Sequence, residues 1–371
     1  MRLSIGPHRF IFEFKVPHEE PFQVALRPHL AANHGQEHVN EATSATPSAN
    51  DVYIDDWVLH GAVGASATSI IHAASHTKSG EVVAVKRLRF GLSRKIAEQE
   101  VKVYDEILAS IRDNRYSTFV MQKRALLSTQ WPYESTNEVY LFWKPLARLG
   151  DFHQLGMAGK WYKTPEAIKK VLFVQVTLGL SALHDAGWIH RDLKPANLGI
   201  VELGEDAMAV VIDQGHACRR KPGGCKPQVG SCGTVGFLAP ELENSAVAAS
   251  YDIEVDVWSL GVVAFFVFFM GRIPWSTQHN MFVPSPNAES PTLQIFRELR
   301  AGLLRQPESS IENLIGDMLE EDPRRRPSIQ TVLAHPALRD VRTEVEAKLE
   351  AGKSTGQKRS QDALLGRVSE R

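Results

Sequence analysis

The sequence predicts an α+β fold in which a small strand-rich unit precedes a larger, mostly helical unit. Extended, β-branched patterning begins near residue 53, and Glu81-Val-Val-Ala-Val-Lys-Arg-Leu88 is its strongest predicted strand. After residue 144 the apolar residues recur at helical spacing, and the apolar run Val262–Met270 marks a buried helix. A chain of 371 residues is long enough for two such units.

Charge and cysteine usage narrow the classes of function. The formal net charge is −1, so no field of the whole protein attracts nucleic acid or an anionic membrane. The longest apolar run is too short for a membrane span, which needs roughly twenty residues. Only three cysteines occur, which argues against a disulfide framework and for a reducing compartment. No secretory signal is recognisable, so we expect an intracellular protein, cytoplasmic or nuclear.

Four segments are predicted along the chain. Residues 1–52 form a partly disordered leader with a candidate strand at Arg9–Val16, and residues 53–143 form the strand-rich unit. Residues 144–339 form the helical unit. Residues 340–371 form a charged tail that is expected to begin as a helix and then fray.

Helix signals are clearest at Thr164-Pro-Glu166, where threonine can cap, proline suits the first turn and glutamate meets the positive helix end. This helix is predicted to stop at Gly187. Apolar periodicity predicts the other elements: a helix at 96–111, a strand at 138–143, and helices at 255–269, 291–301, 308–320 and 328–334.

The run His190-Arg-Asp-Leu-Lys-Pro-Ala-Asn197 brings together groups that phosphoryl transfer needs, because that reaction depends on positioning and charge neutralisation. Asp192 can accept or orient an incoming hydroxyl, Lys194 can hold a γ-phosphate, and the side-chain carbonyl of Asn197 can ligate magnesium. The loop follows a predicted helix. In this order and setting it resembles the catalytic loop of eukaryotic protein kinases.

The resemblance implies a bilobal, protein-kinase-like fold with a β-rich N-lobe and a mostly helical C-lobe. Asp213, after the apolar run Val210–Ile212, resembles the magnesium-binding aspartate of the family's Asp-Phe-Gly, so Asn197 and Asp213 are the implied metal ligands. Gln214 replaces the phenylalanine that packs in an apolar column between the lobes. Glutamine cannot supply that packing and needs hydrogen-bond partners if it is buried.

The resemblance also implies nucleotide contacts in the N-lobe. Lys86 in Val83-Ala-Val-Lys86 matches the lysine that holds the α- and β-phosphates and pairs with a helix glutamate, which is Glu100 or, as the alternative, Glu98. The family's Gly-x-Gly-x-x-Gly loop corresponds to Gly64, Ser66 and Ser69, so only the first glycine is kept. The serines are small and can still hydrogen-bond a phosphate.

The adenine site is implied at Ile71 and Ala84 on its upper side. On its lower side the corresponding residue is Gly199, which lacks a side chain. Contact area with the base is lost there, so we expect weaker nucleotide binding or compensation by a neighbouring residue.

Three later motifs complete the resemblance. Gly233-Thr234 to Ala239-Pro-Glu241 resembles the end of an activation segment, and Glu241 is expected to pair with Arg326 of Asp322-Pro-Arg-Arg-Arg326. Asp256 resembles the aspartate that anchors the catalytic-loop backbone. Thr234 is expected to bridge Asp192 and Lys194, which implies acceptors of the serine and threonine type.

Two features of the activation segment leave alternatives open. Arg191 could hold a phosphate on Ser231, aided by the basic run Arg219–Lys221, or the segment could be ordered without phosphate. The three cysteines, Cys218, Cys225 and Cys232, lie near His216. Their seven-residue spacing does not match usual zinc sites, so ordinary reduced thiols are favoured over a zinc or redox clip.

The sequence therefore predicts a serine/threonine protein kinase that uses ATP and Mg²⁺ and has a protein partner with a Ser or Thr acceptor. The main alternative is a pseudokinase that binds nucleotide or acts as a scaffold, because the glycine loop, Gln214 and Gly199 depart from the family pattern. A small-molecule phosphotransferase is a third alternative. The Ala-Pro-Glu and Asp-Pro-x-x-Arg motifs argue against it. Oligomeric state is not predicted.

Overall fold

In the computed structural model the chain divides into two compact units, residues 1–97 with 123–146 and residues 98–122 with 147–371. The structure describes residues 2–5, 8–11, 52–65, 69–78, 81–88, 94–130, 137–144, 147, 149–226, 233–243, 250–269, 271–273, 275, 282 and 291–366.

The first unit is built on strands. A separate hairpin pairs β1 (Arg2–Ile5) with β2 (His8–Ile11). The main sheet has the strand order β3-β4-β5-β6-β8-β7, with the following bounds: β3 Val52–Ile54, β4 Trp57–Ala65, β5 Ser69–His76, β6 Val82–Leu88, β7 Gln122–Gln130 and β8 Asn137–Lys144. The strands predicted at 81–88 and 138–143 are therefore confirmed. The strand predicted at Arg9–Val16 overlaps only β2, and residues 12–16 lie outside the described part of the chain.

The core of this sheet is aliphatic and aromatic. Val83 and Val85 on β6 are completely buried, because β-branched side chains pack well on a pleated surface. They share one buried cluster with Trp57 of β4 and Phe142 of β8, whose ring centroids lie 5.0 Å apart. Strands β5 and β6, which carry most of the predicted nucleotide contacts, pair in register from Ser69 with Leu88 to Ser75 with Val82.

The second unit is mainly helical. Its helices are α1 Arg94–Ile111, whose first turn falls in the range of the first unit, α2 Phe152–Met157, α3 Lys160–Lys163, α4 Glu166–Asp185, α5 Pro240–Glu243, α6 Glu254–Phe268, α7 Pro291–Leu304, α8 Ile311–Met318, α9 Ile329–Ala334 and α10 Pro336–Gly366. Its short strands are β9 Trp188–Ile189, β10 Leu198–Glu202, β11 Met208–Val211 and β12 Cys218–Arg219.

Two buried helices, α4 and α6, form the centre of this unit. Residues 172–184 of α4 and 255–267 of α6 are buried, and the helices contact one another. In length and composition α4 is apolar enough to cross a bilayer, but 72% of its most apolar stretch is buried inside the protein. A core helix passes the same test, so α4 is weak evidence for a membrane span.

Most predicted helices are confirmed within a few residues, and two predicted boundaries are wrong for local reasons. Thr164 does not cap α4, because its hydroxyl donates to the carbonyl of Lys160 at 2.9 Å and ends α3; Pro165 takes the N-cap position instead. The helix predicted from 308 begins at Ile311, because the Ser310 side chain accepts the backbone N–H of Asn313 and caps it.

The boundary predicted at residue 340 falls inside α10. Leu338 and Val345 are buried in the core of the helical unit. Glu346 accepts a hydrogen bond from the Tyr116 hydroxyl and lies 2.6 Å from the Arg115 guanidinium. The first turns of the predicted tail therefore pack on the helical unit through Val345 and Glu346.

Candidate active site

A buried aspartate anchors the backbone of the loop that carries Asp192. Asp256 on α6 has no solvent exposure and accepts the backbone N–H groups of His190 and Arg191 at 2.7 and 2.8 Å. Its second oxygen also contacts Nε2 of His184 at 2.9 Å. Burial alone raises the pKa of Asp256, but the contacts with His184 and His190 outweigh it and hold the pKa below its usual value. The anchoring role predicted for Asp256 is confirmed.

Asp192 lies at the centre of a ring of donors. Thr234 donates its hydroxyl to Oδ1 of Asp192 at 2.7 Å. The Lys194 ammonium lies 2.9 Å from Oδ2 and donates to the Thr234 hydroxyl at 2.7 Å. Asn197 donates to Oδ2 at 3.0 Å and to the Asp192 carbonyl at 2.7 Å. The four residues predicted to be catalytic are therefore brought together by the structure.

The strand that leads to Asp213 runs beside this loop. The β10–β11 hairpin pairs Leu198 with Val211, and the N–H of Ile212 donates to the carbonyl of Asn197 at 2.9 Å. Asp213 has a φ of +58° and Arg191 a φ of +67°. Non-glycine residues in this region cost of order 1 kcal/mol each and cluster at functional sites.

Gln214 is buried where the family has a phenylalanine. It is 1% exposed, and its side-chain amide donates to the carbonyl of Val211 at 3.0 Å. The predicted need for a hydrogen-bond partner is thus met within the same turn.

Two residues of α1 approach Asp213. The Tyr104 hydroxyl donates to Oδ1 of Asp213 at 3.1 Å. Glu100 lies so near that a Cβ on Gly215 would sit 3.3 Å from its carboxylate oxygen. Burial and the charges of Asp213 and Glu100 raise the pKa of Tyr104 well above its ordinary value, so this hydroxyl keeps its proton at neutral pH. The pairing of Glu100 with Lys86 stays a prediction.

Gly199 is packed against a neighbouring methyl group. A Cβ at this position would lie 2.7 Å from Cβ of Ala147 and 3.3 Å from Cγ2 of Ile212. The segment of Ala147 is held there by an antiparallel bridge between Asp151 and Gly199. Ala147 therefore fills the space that a side chain at position 199 would occupy. The effect of Gly199 on nucleotide binding stays a prediction.

In the strand-rich unit, register places the predicted nucleotide contacts on one face of the sheet. Ile71 on β5 pairs with Lys86 on β6 at one side and with Gly64 on β4 at the other. Directly opposed residues share a face, and so do residues two apart, which adds Ala84 and Ser69. Ser66 lies outside the described residues.

The donor set suits magnesium. Both N–H groups of the Asn197 side chain point to Asp192, so its oxygen is left to face a ligand, and Asp213 adds a carboxylate. Hard oxygen donors of this kind bind Mg²⁺, which usually completes its shell with water and substrate phosphates. Within the described part of the chain no cluster of three or more His, Cys, Asp or Glu side chains could hold a metal by itself.

The basic residues of the activation segment contact protein groups. Arg191 donates to the carbonyl of His216 at 2.6 Å and to the hydroxyl of Tyr251 at 3.0 Å. Arg220 makes a two-pronged contact with Asp252 at 2.8 Å. Ser231 lies outside the described residues, so the choice between a phosphate-ordered and a phosphate-free segment stays open.

Two of the cysteines face one another as free thiols. The Sγ atoms of Cys218 and Cys225 lie 3.8 Å apart, and burial raises the pKa of Cys218 to about 11. A protonated thiol is a poor nucleophile and metal ligand. Cys232 lies outside the described residues.

Three residues of this site escaped the sequence analysis as functional candidates. Tyr104 was predicted only as part of the apolar stripe of a helix, and His184 only as part of the helix before the catalytic loop. Tyr251, which contacts Arg191, belongs to no motif. The sequence offered one signal for Tyr104 and His184: each places a polar atom on an otherwise apolar helix face, and a buried polar atom needs a hydrogen-bond partner.

Comparisons with known proteins agree with this geometry. The family model described as protein kinase domain matches residues 57–338. A calcium and calcium/calmodulin-dependent serine/threonine-protein kinase of Pisum sativum is 27% identical over 257 residues, which cover 69% of this chain and 46% of that protein.

Two further relatives are a rat and a mouse kinase. An SNF-related serine/threonine-protein kinase of Rattus norvegicus is 30% identical over 177 residues, 47% of this chain and 21% of that protein. Sperm motility kinase 3A of Mus musculus is 26% identical over 287 residues, 76% of this chain and 49% of that protein. The matched region thus spans less than half of each of these three relatives.

Proposed function

The chain belongs to the protein kinase family, and on that premise we propose that it is an active serine/threonine kinase. It transfers the γ-phosphate of Mg²⁺-ATP to a serine or threonine hydroxyl of another protein. One observation carries the proposal: the Asp192 carboxylate is held at once by Thr234, Lys194 and Asn197.

Each residue of that ring has a role that follows from its contacts. Asp192, with two oxygens fixed by donors, orients the acceptor hydroxyl and takes its proton. Lys194, already 2.9 Å from Asp192, places a positive charge where the transferred phosphoryl group bears negative charge. Thr234 locks the two together and borders the acceptor position.

The metal site is proposed at Asn197 and Asp213. Bound magnesium would neutralise the charge of the phosphates, which is the chemistry these two oxygen donors are suited to support. Lys86 is the proposed cation for the α- and β-phosphates, and Gly64, Ser69, Ile71 and Ala84 on the same sheet face are its proposed neighbours at the nucleotide. The Ser66 contact and the Glu100 partner of Lys86 come from the family resemblance.

A phosphate-transfer assay tests the proposal. Radiolabelled ATP with Mg²⁺ is incubated with the full chain and a generic protein acceptor, and Asp192→Asn is the matched control. We expect label on serine and threonine, and a loss of about 100- to 10,000-fold in the variant. Equal label with both proteins would refute the catalytic claim.

A pseudokinase is the second candidate, favoured by Gln214, by Gly199 and by the serines at positions 66 and 69 of the loop. Transfer and binding separate the two functions. If the wild-type protein binds Mg²⁺-nucleotide but transfers no phosphate, the chain is a pseudokinase. Label that appears only on a small molecule would instead indicate a small-molecule phosphotransferase.

We also propose an intracellular location, cytoplasmic or nuclear, and a protein as the partner in catalysis. Few cysteines, with Cys218 and Cys225 as free thiols, suit a reducing compartment. Fractionation of cells that express the tagged chain tests this, and recovery from the medium would contradict it.

A further inference from the structure

The hydroxyl of Tyr104 links helix α1 to the carboxylate of Asp213. Tyr104 is 2% exposed and follows Glu100 by one helical turn. Its hydroxyl donates to Oδ1 of Asp213 at 3.1 Å. A phenol has a single proton. In this geometry the proton is donated to the Asp213 carboxylate.

The surroundings leave Asp213 little room to move. The residue has a left-handed backbone, which requires support from its neighbours. A Cβ on Gly215 would lie 3.2 Å from Oδ1 of Asp213 and 3.3 Å from the Glu100 carboxylate. The backbone N–H of Gly215 lies farther away, 3.4 Å from the same oxygen. At 3.1 Å the Tyr104 bond is the shorter of these two contacts to Oδ1.

Gln214 removes the apolar support that a phenylalanine would give at this turn. The side-chain amide of Gln214 donates to the carbonyl of Val211. This bond therefore ties the turn to β11 and not to α1. Tyr104 links α1 to Asp213 through a polar atom. A hydrogen bond fixes the direction of the carboxylate oxygen as well as its distance, because the donor–hydrogen–acceptor angle prefers to be nearly straight.

We propose that Tyr104 is a positioning residue that holds the Asp213 carboxylate in the orientation that takes up magnesium. The inference rests on the proposed function, in which Asp213 is a metal ligand. Carboxylates that ligate metals are themselves hydrogen-bonded, and loss of such a partner typically lowers metal affinity or activity about 10- to 100-fold. Tyr104 touches neither substrate nor metal in this account. It acts only through Asp213.

Tyr104→Phe tests this directly, because it removes one oxygen and keeps the ring. The matched control is Tyr116→Phe, which removes a hydroxyl bonded to Glu346 in the same helical unit. Mn²⁺ binding to each protein with a non-hydrolysable ATP analogue is measured by electron paramagnetic resonance. The Mg²⁺ concentration for half-maximal phosphate transfer is measured alongside it.

We expect Tyr104→Phe to need about 10- to 100-fold more metal in both measurements, with kcat at saturating metal close to wild type. Tyr116→Phe should match wild type in both. A purely structural role would lower the melting temperature of the metal-free protein without moving the metal midpoint. Metal midpoints of Tyr104→Phe equal to those of wild type would overturn the inference.

Two further variants keep the test decisive. If Tyr104→Phe does not fold, Tyr104→Met gives a flexible apolar side chain without a donor, and the same shift is expected. In an Asp213→Asn background, Tyr104→Phe should add no further loss, because the two changes act on one interaction. Additive losses would overturn the positioning role. A wild-type protein that neither binds Mn²⁺ nor transfers phosphate would refute the proposed function itself.

Discussion

Glu241→Gln should destabilise the helical unit strongly, because it breaks a buried ion pair without changing the size of the side chain. The Arg326 side chain is completely buried, and the Glu241 side chain is 7% exposed. The guanidinium makes two parallel bonds to the carboxylate, at 2.5 and 2.7 Å. Its remaining N–H groups donate to the backbone carbonyls of Glu320, Glu254 and Glu321 at 2.7–3.1 Å.

All five guanidinium donors are therefore used, and the ion sits 5.2 Å over the Trp258 ring. Removing one partner of such a pair costs about 3–5 kcal/mol, since the other charge stays buried. A unit of this size loses roughly 2–4 °C per kcal/mol, so we expect the melting temperature to fall by about 6–20 °C.

Thermal melts and urea titrations measure the loss, and Arg297→Met is the control. Arg297 pairs with Glu321 through an equally good two-pronged contact, but the side chains are 48% and 30% exposed. Exposed pairs contribute about 0–1 kcal/mol. The reasoning is refuted if Glu241→Gln loses no more than Arg297→Met.

Two other predictions follow from close packing and from burial. Gly199→Leu should lower the free energy of unfolding by about 1–3 kcal/mol, because its Cβ would lie 2.7 Å from Cβ of Ala147. Urea titration measures this, and an unchanged urea midpoint would show that this space is open. His335 accepts the N–H of Ala337 at 3.2 Å, and burial lowers its pKa from 6.5. The unfolded chain then binds a proton below about pH 6.5 that the folded protein does not, so stability falls as pH decreases from 7 to 5. The charge of Asp317 opposes this effect of burial but does not outweigh it. His335→Asn can keep the N–H contact but cannot take up the proton, so it should reduce the dependence of stability on pH. An unchanged pH dependence would contradict the assignment.

The sequence alone determined much of the local structure. Long periodic elements such as α4, α6 and β6 were predicted within a few residues, because their apolar patterns reflect one buried face or complete burial. Glu241 and Arg326 were paired from motifs, and so were Thr234 and Asp192. Both pairings were implied by the resemblance of these motifs to the protein kinase family, not by periodicity or composition.

Tertiary structure decided which polar atoms meet. Tyr104 and Asp213 are 109 residues apart, and a helical stripe shows which face is buried but not which atom lies opposite. The same holds for His184 against Asp256 and for Ala147 against Gly199. The helix that continues through residue 340 likewise depended on contacts of Glu346 with Arg115 and Tyr116. Such contacts depend on how packed elements fit together, and this fit is a property of the folded chain rather than of any local pattern.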